Sequence, residues 1–149
     1  MYGTHSDKGS STSEANLGLI EISPIKDREG VFLRNALIDR FYTSGYPSNP
    51  RYRLEIGELS EVNTDLDITS SSEATRAQLT QTTTMKLFDL QNPAMPVLAR
   101  SLSSITSYNI LESEFATRVS KQKAREGGLD DMARQIELNA TLYFNRAAK

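Results

Sequence analysis

Apolar and polar residues change their spacing several times along this chain, and each change predicts a different element. In the run LGLIEISPI, from Leu17 to Ile25, Ile20 and Ile22 alternate with Glu21 and Ser23, as in a short strand, and Pro24 ends it. The spacing then turns helical. From about Glu29 to Thr43, Leu33, Ala36, Leu37 and Phe41 fall on one face, with Asp27 placed as N-cap and Ser44-Gly45 followed by Pro47 as a stop. Tyr52 to Ile68 returns to alternation. Tyr52, Leu54, Ile56, Val62, Leu66 and Ile68 share one parity and Arg53, Glu55, Glu61, Asp65 and Asp67 the other, which predicts one long strand with a wet face. Gly57 and Leu59 disturb that pattern and predict a bulge near its middle.

After a turn at 70–73, Thr75 to Leu90 alternates again, and its threonines between positions 80 and 84 favour strand over helix. The turn Gln91-Asn92-Pro93-Ala94 leads into a serine-rich strand from Val97 to Ile110. The last quarter, Ser113 to Ala147, is helical. Phe115, Val119, Leu129, Met132, Ala133, Ile136, Ala140 and Tyr143 share one face, and the phase is kept across Gly127-Gly128. Two glycines cost a helix ~2 kcal/mol relative to alanines, so a kink or break there stays open. Arg118, Gln122 and Arg125 fill the stripe's middle and are expected to face solvent or a partner. The order is β-α-β-β-β-α. The predicted fold class is α+β, a four-stranded, mostly antiparallel sheet with two helices packed on one face.

Composition narrows the function more than the fold. The 149 residues fit one domain, 17–149, behind a polar lead-in, 1–16, read as a flexible tether. A net charge of −2 argues against a broadly basic nucleic-acid-binding domain. There is no Cys, hence no disulfide, thiol nucleophile or zinc cluster. The single His, His5, lies in the lead-in, and no apolar run is long enough to cross a membrane. The opening residues carry no signal-peptide pattern.

Candidate chemistry is sparse. No phosphate loop, His-x-x-x-His pair or nucleophile elbow occurs, so the chain reads as non-enzymatic, with neither cofactor nor metal. Glu61, Asp65 and Asp67 project from one strand face, where carboxylates usually serve solvation; Asp130-Asp131 reads as an acidic first turn. Arg76, Lys86 and Arg100 lie on the predicted polar side of strands and are the candidate ligand-binding cations, suited to phosphates or sugar acids. The competing reading is a solvated strand face. A small RNA-binding domain shares a similar element order, but no Gly-x-x-Gly loop, strand aromatic pair or basic face is present.

Several segments together resemble a known family. They are Tyr2-Gly3, LRNALIDRFY (Leu33 to Tyr42), YRLEI (Tyr52 to Ile56), ATRAQL (Ala74 to Leu79) and SYNILESEFATRVSKQKAR (Ser107 to Arg125), followed by an Ala/Leu/Ile helix ending in Tyr143-Phe144. The chain resembles the lipopolysaccharide-assembly lipoprotein LptE in its alphaproteobacterial form, over nearly its whole length. The resemblance implies a lipoprotein on the periplasmic side of the outer membrane that plugs the LptD β-barrel and contacts lipopolysaccharide. It also implies a polar barrel lumen around the hydroxyl-rich strand face. The family's lipid-bearing Cys is absent, which is expected if it was removed with the signal peptide and Met1 is a vector start. Arg76, Lys86 and Arg100 are then the expected lipopolysaccharide contacts. The alternative is a free-standing periplasmic lipoprotein that binds a small ligand or stabilises the envelope.

Overall fold

A computed structural model describes residues 14–68 and 74–147. The first thirteen residues, including most of the expected tether, and the turn at 70–73 lie outside the described residues. The elements are a helical turn at 14–17 (α1), β1 Ile20–Ile22, α2 Asp27–Phe41, β2 Tyr52–Ile56, β3 Ser60–Ile68, β4 Ala74–Asp89, β5 Leu98–Asn109 and α3 Glu114–Ala147. Among the described residues, five strands and three helices replace the expected four and two. The additional helix is α1, and the additional strand arises because the chain from Tyr52 to Ile68 breaks at 57–59.

That break has a large consequence. β2 and β3 lie end to end along the same flank of β4, both antiparallel to it. Ile56 stands opposite Met85 and Ser60 opposite Thr82, so four steps on one strand match three on the other. One extra residue reverses every side chain beyond it. Tyr52 and Leu54 face the core, whereas Val62, opposite Thr80, points to the other side of the sheet and is 58% exposed. The expectation that Tyr52, Leu54, Ile56, Val62 and Leu66 share one face is therefore corrected. Gly57 sits at the reversal, its N–H donating to Thr84 O, and a Cβ there would lie 2.7 Å from Thr84 Oγ1.

β1 runs parallel to β2 and covers only Tyr52 to Leu54. On the other flank β5 pairs with β4 from Arg76 to Leu87. The apolar core lies between the β1–β2 end of the sheet and the helices. Ile20, Ile22, Leu54, Met85, Leu87, Leu98 and Leu102 meet Leu33, Leu37 and Phe41 of α2 and Leu129, Met132, Ala133, Ile136 and Ala140 of α3. Phe144, rather than the expected Tyr143, completes the buried stripe, its ring 5.0 Å from that of Tyr52. Arg40 and Glu137 tie the two helices at 3.0 Å. Lys26, not Asp27, holds the N-cap position of α2, and Asp27 begins the helix at φ 72°.

α3 is one uninterrupted helix of 34 residues, about 50 Å long at 1.5 Å per residue. The glycines do not break it. A Cβ on Gly128 would lie 2.1 Å from Gln81 Oε1 and 3.0 Å from Ser104 Oγ, while a Cβ on Gly127 would meet nothing within 4 Å. Gly128 is thus a point of close approach between helix and sheet. N-terminal to it the apolar stripe does not continue into a core: Phe115 is 70% exposed and Val119 is also exposed.

Candidate functional site

Beneath Gly128 the sheet changes character. Glu61, Gln81 and Ser104 form one cross-strand row on the helix side of β3, β4 and β5. Gln81 and Ser104 are 2% and 3% exposed, and neither Gln81 Oε1 nor Ser104 Oγ has a hydrogen-bond partner. From this row outward α3 is held by polar contacts. Gln81 Nε2 donates to Arg125 O, Thr106 Oγ1 donates to Ala124 O, and Asn109 N donates to Ser120 Oγ.

Arg125 is the strongest of these ties. Its Nε and Nη2 donate to the two oxygens of Glu61 at 2.6 and 2.8 Å, its Nη1 donates to Gln122 Oε1, and Glu29 of α2 lies 4.0 Å away. Only 16% of its side chain is exposed, so it does not face solvent as its place in the helix stripe suggested. The guanidinium's hydrogen bonds hold the Glu61 carboxyl below the usual carboxylate range, outweighing the opposite effect of partial burial. The same bonds raise Arg125. A bidentate pair of this kind fixes orientation as well as distance.

Further along α3, an open groove of about 430 Å³ lies where the helix passes β5. Arg76, Ser107, Tyr108, Asn109, Ser120 and Lys123 line it, two of them cationic and the rest polar, and the Ser120 hydroxyl accepts from Asn109 N. Tyr108 donates across the sheet to Asn63 Oδ1 at 3.0 Å. Its own pKa is raised, first by burial and then by the charges of Asp65 and Glu61. Cations flanked by hydroxyl and amide groups suit an oxyanion with neighbouring hydroxyls.

The three cations singled out in the sequence do not converge. Arg76 and Lys86 are ten residues apart on β4, about 33 Å at strand rise. Arg100 stands opposite Met85, on the other sheet face from Lys86, and donates to Ala99 O. Arg76 alone enters the groove. Lys123, Ser120 and Ser107 join it through tertiary packing, and the one local signal was the basic run Lys121-Gln122-Lys123. Among the described residues no group of three or more acidic or histidine side chains could hold a metal, and no helix is long and apolar enough to cross a membrane.

No family model and no curated protein matches the chain. Solved structures do. A lipoprotein from Caulobacter crescentus superposes with a TM-score of 0.73 at 23% identity, over 93% of this chain and 98% of that one. A minor lipoprotein from Acinetobacter baumannii gives 0.58 at 21%, over 83% and 88%. The rare lipoprotein B of Shewanella oneidensis gives 0.67 at 9%, over 87% and 97%. The chain has the fold of these bacterial lipoproteins.

These matches correct the resemblance to LptE. The matching proteins are described as lipoproteins in general terms, none by lipopolysaccharide assembly or by an LptD partner, and no family model supports the narrower assignment. The physical reason lies in the segments that suggested it. Leu33, Leu37 and Phe41 in the first helix, Tyr52 and Leu54 in YRLEI, and Ala77 and Leu79 in ATRAQL are buried packing residues. Such positions report how a sheet and two helices pack, and many functions share one packing.

Proposed function

We propose that this chain is the globular domain of a bacterial envelope lipoprotein, anchored on the periplasmic side of the outer membrane in its native form. It acts without catalysis, by binding a small anionic, hydroxyl-bearing ligand in the Arg76–Lys123 groove. The anchoring part of this reading is supported by the fold, which spans nearly the whole of the Caulobacter lipoprotein. The ligand part rests on one observation, that two cationic and four polar residues line one open groove.

Calorimetric titration with inorganic phosphate and with a hexose phosphate tests it. Reversing Arg76→Glu and Lys123→Glu together should weaken hexose phosphate binding at least tenfold, since charge-assisted hydrogen bonds contribute about 1.5–3 kcal/mol each. Equal binding by wild type and variant would remove the groove from the account. Recovery of the full-length native protein in detergent-released membrane fractions tests the anchoring. Its appearance in the fraction released by osmotic shock would contradict that part.

A further inference from the structure

Among the described residues no strand pairs with the outer edge of β3. β1 flanks β2 only as far as Leu54, and β3 pairs with β4 alone among the described residues. The direction of its backbone groups follows from neighbouring bonds. Gly57 N–H donates to Thr84 O on one flank of β4, while Val97 and Ile110 N–H donate to Leu87 O and Thr75 O on the other. Even-numbered residues of β4 therefore bond towards β3, and their partners there are Ser60, Val62, Thr64 and Leu66. The N–H and C=O groups of Glu61, Asn63 and Asp65 point outward.

On the other edges of the sheet some outward groups are capped. On β1 the outward carbonyls of Ile20 and Ile22 accept from Tyr42 OH and Arg34 Nε. On β5, Ser103 O accepts from Gln135 Nε2 and Asn109 N donates to Ser120 Oγ, both on α3. Capping of this kind is how proteins protect sheet edges. Among the described residues no side chain caps the outward groups of Glu61, Asn63 and Asp65 on β3, and the two faces of that edge differ sharply. On the helix side stand Glu61, Asn63 and Asp65, the first two engaged by Arg125 and Tyr108 and the Asp65 carboxylate exposed. On the opposite side stand Val62 and, beyond Thr64, the half-buried Leu66. Val62 lies in a row with Thr80 and Ile105, of which Ile105 is 61% exposed.

We propose that the β3 edge between Glu61 and Leu66 receives an extended segment of a partner protein, which adds a strand to the sheet. Main-chain bonds to Asn63 and Asp65 supply the pairing. Side chains alternate, so the segment carries Lys or Arg opposite Asp65 and β-branched apolar residues beside Val62 and Leu66. A second copy of this chain does not satisfy that pattern, because its own β3 would set Asp65 and Glu61 against like charges. Arg76 stands opposite Leu66 at one end of the site, whereas Lys123 lies on α3 beyond β5, so the strand position at Asn63 and Asp65 does not depend on Lys123.

An acetylated peptide of alternating lysine and valine is the probe, titrated into isotopically labelled protein with amide exchange followed by NMR. Saturable binding should slow exchange at Asn63 and Asp65 while leaving Val62 and Thr64, already bonded to β4, unchanged. The same peptide with a central proline, which lacks a donor N–H, should bind at least tenfold more weakly. Asp65→Lys should weaken the lysine–valine peptide about tenfold and favour a glutamate–valine peptide instead. Asp65→Asn provides the milder variant and should fall between. Binding that leaves Asn63 and Asp65 exchange unaltered, or tolerates the proline, would show charge attraction without strand addition and overturn the proposal. So would the absence of binding. Lys123→Glu alone should leave peptide binding intact, which separates this result from failure of the groove.

Discussion

Replacing Gly127 or Gly128 by alanine should change stability in opposite directions, although the two positions are adjacent in one helix. Alanine is favoured over glycine in a helix interior by about 1 kcal/mol. At Gly127 the new methyl meets nothing within 4 Å, so that gain is realised in full. At Gly128 the methyl would overlap Gln81 Oε1 at 2.1 Å and press on Ser104 Oγ at 3.0 Å. The Gln81 amide is the end of a flexible side chain but is only 2% exposed, so turning it away means repacking the crossing point. Overpacking costs roughly 1–3 kcal/mol, and the net effect should be a loss of about 1 kcal/mol. The two variants should therefore differ by about 2 kcal/mol, or roughly 4–8 °C in Tm for a chain of this size. Urea unfolding followed by circular dichroism measures both. Gly128→Ala combined with Gln81→Ala should be less destabilised than the two single losses added together, because the second change removes the overlapped group. If Gly128→Ala stabilises as much as Gly127→Ala, the close approach of α3 to the Glu61–Gln81–Ser104 row is wrong.

Other consequences can be checked alongside. Glu61→Gln should cost about 1–2 kcal/mol at neutral pH by removing a charge-assisted, partly buried pair. Because the Glu61 pKa is lowered from 4.5 in the folded protein, its contribution is present above that value and lost as pH falls through the folded pKa. Denaturation midpoints of wild type and Glu61→Gln should thus converge in acid, and a constant difference down to the lowest accessible pH would contradict the pair. Ile136→Ala should cost about 2–5 kcal/mol, whereas Phe115→Ala should stay within about 0.5 kcal/mol. Comparable losses at both positions would show that α3 buries its N-terminal stripe after all.

Much of the fold was legible because alternation and helical spacing are local. Leu33, Leu37 and Phe41, the stripe from Leu129 to Ala140, and the odd-numbered core residues of β4 all stand where their spacing predicts. What failed to read correctly depends on single residues or on contacts between distant ones. The one-residue bulge at 57–59 keeps the parity of Val62 and Leu66 in the sequence while reversing their face in space. Phe115 and Val119 keep phase with the buried stripe, yet the sheet beneath that part of α3 presents Ser104, Thr106 and Tyr108 rather than apolar side chains. Arg125 looked like an interruption facing solvent or a partner protein because the residues it pairs with, Glu61 and Glu29, lie on two other elements. The groove was half visible. Arg76 carried a recognisable chemistry, but Lys123 approaches it only when α3 folds back over β5.

The ligand groove is most directly tested by amide chemical-shift mapping during titration with the hexose phosphate. The account predicts saturable shifts confined to Arg76, Ser107, Tyr108, Asn109, Ser120 and Lys123, abolished in the Arg76→Glu, Lys123→Glu variant. Shifts centred on Lys86 and Arg100, or no saturable shift at any position, would contradict it.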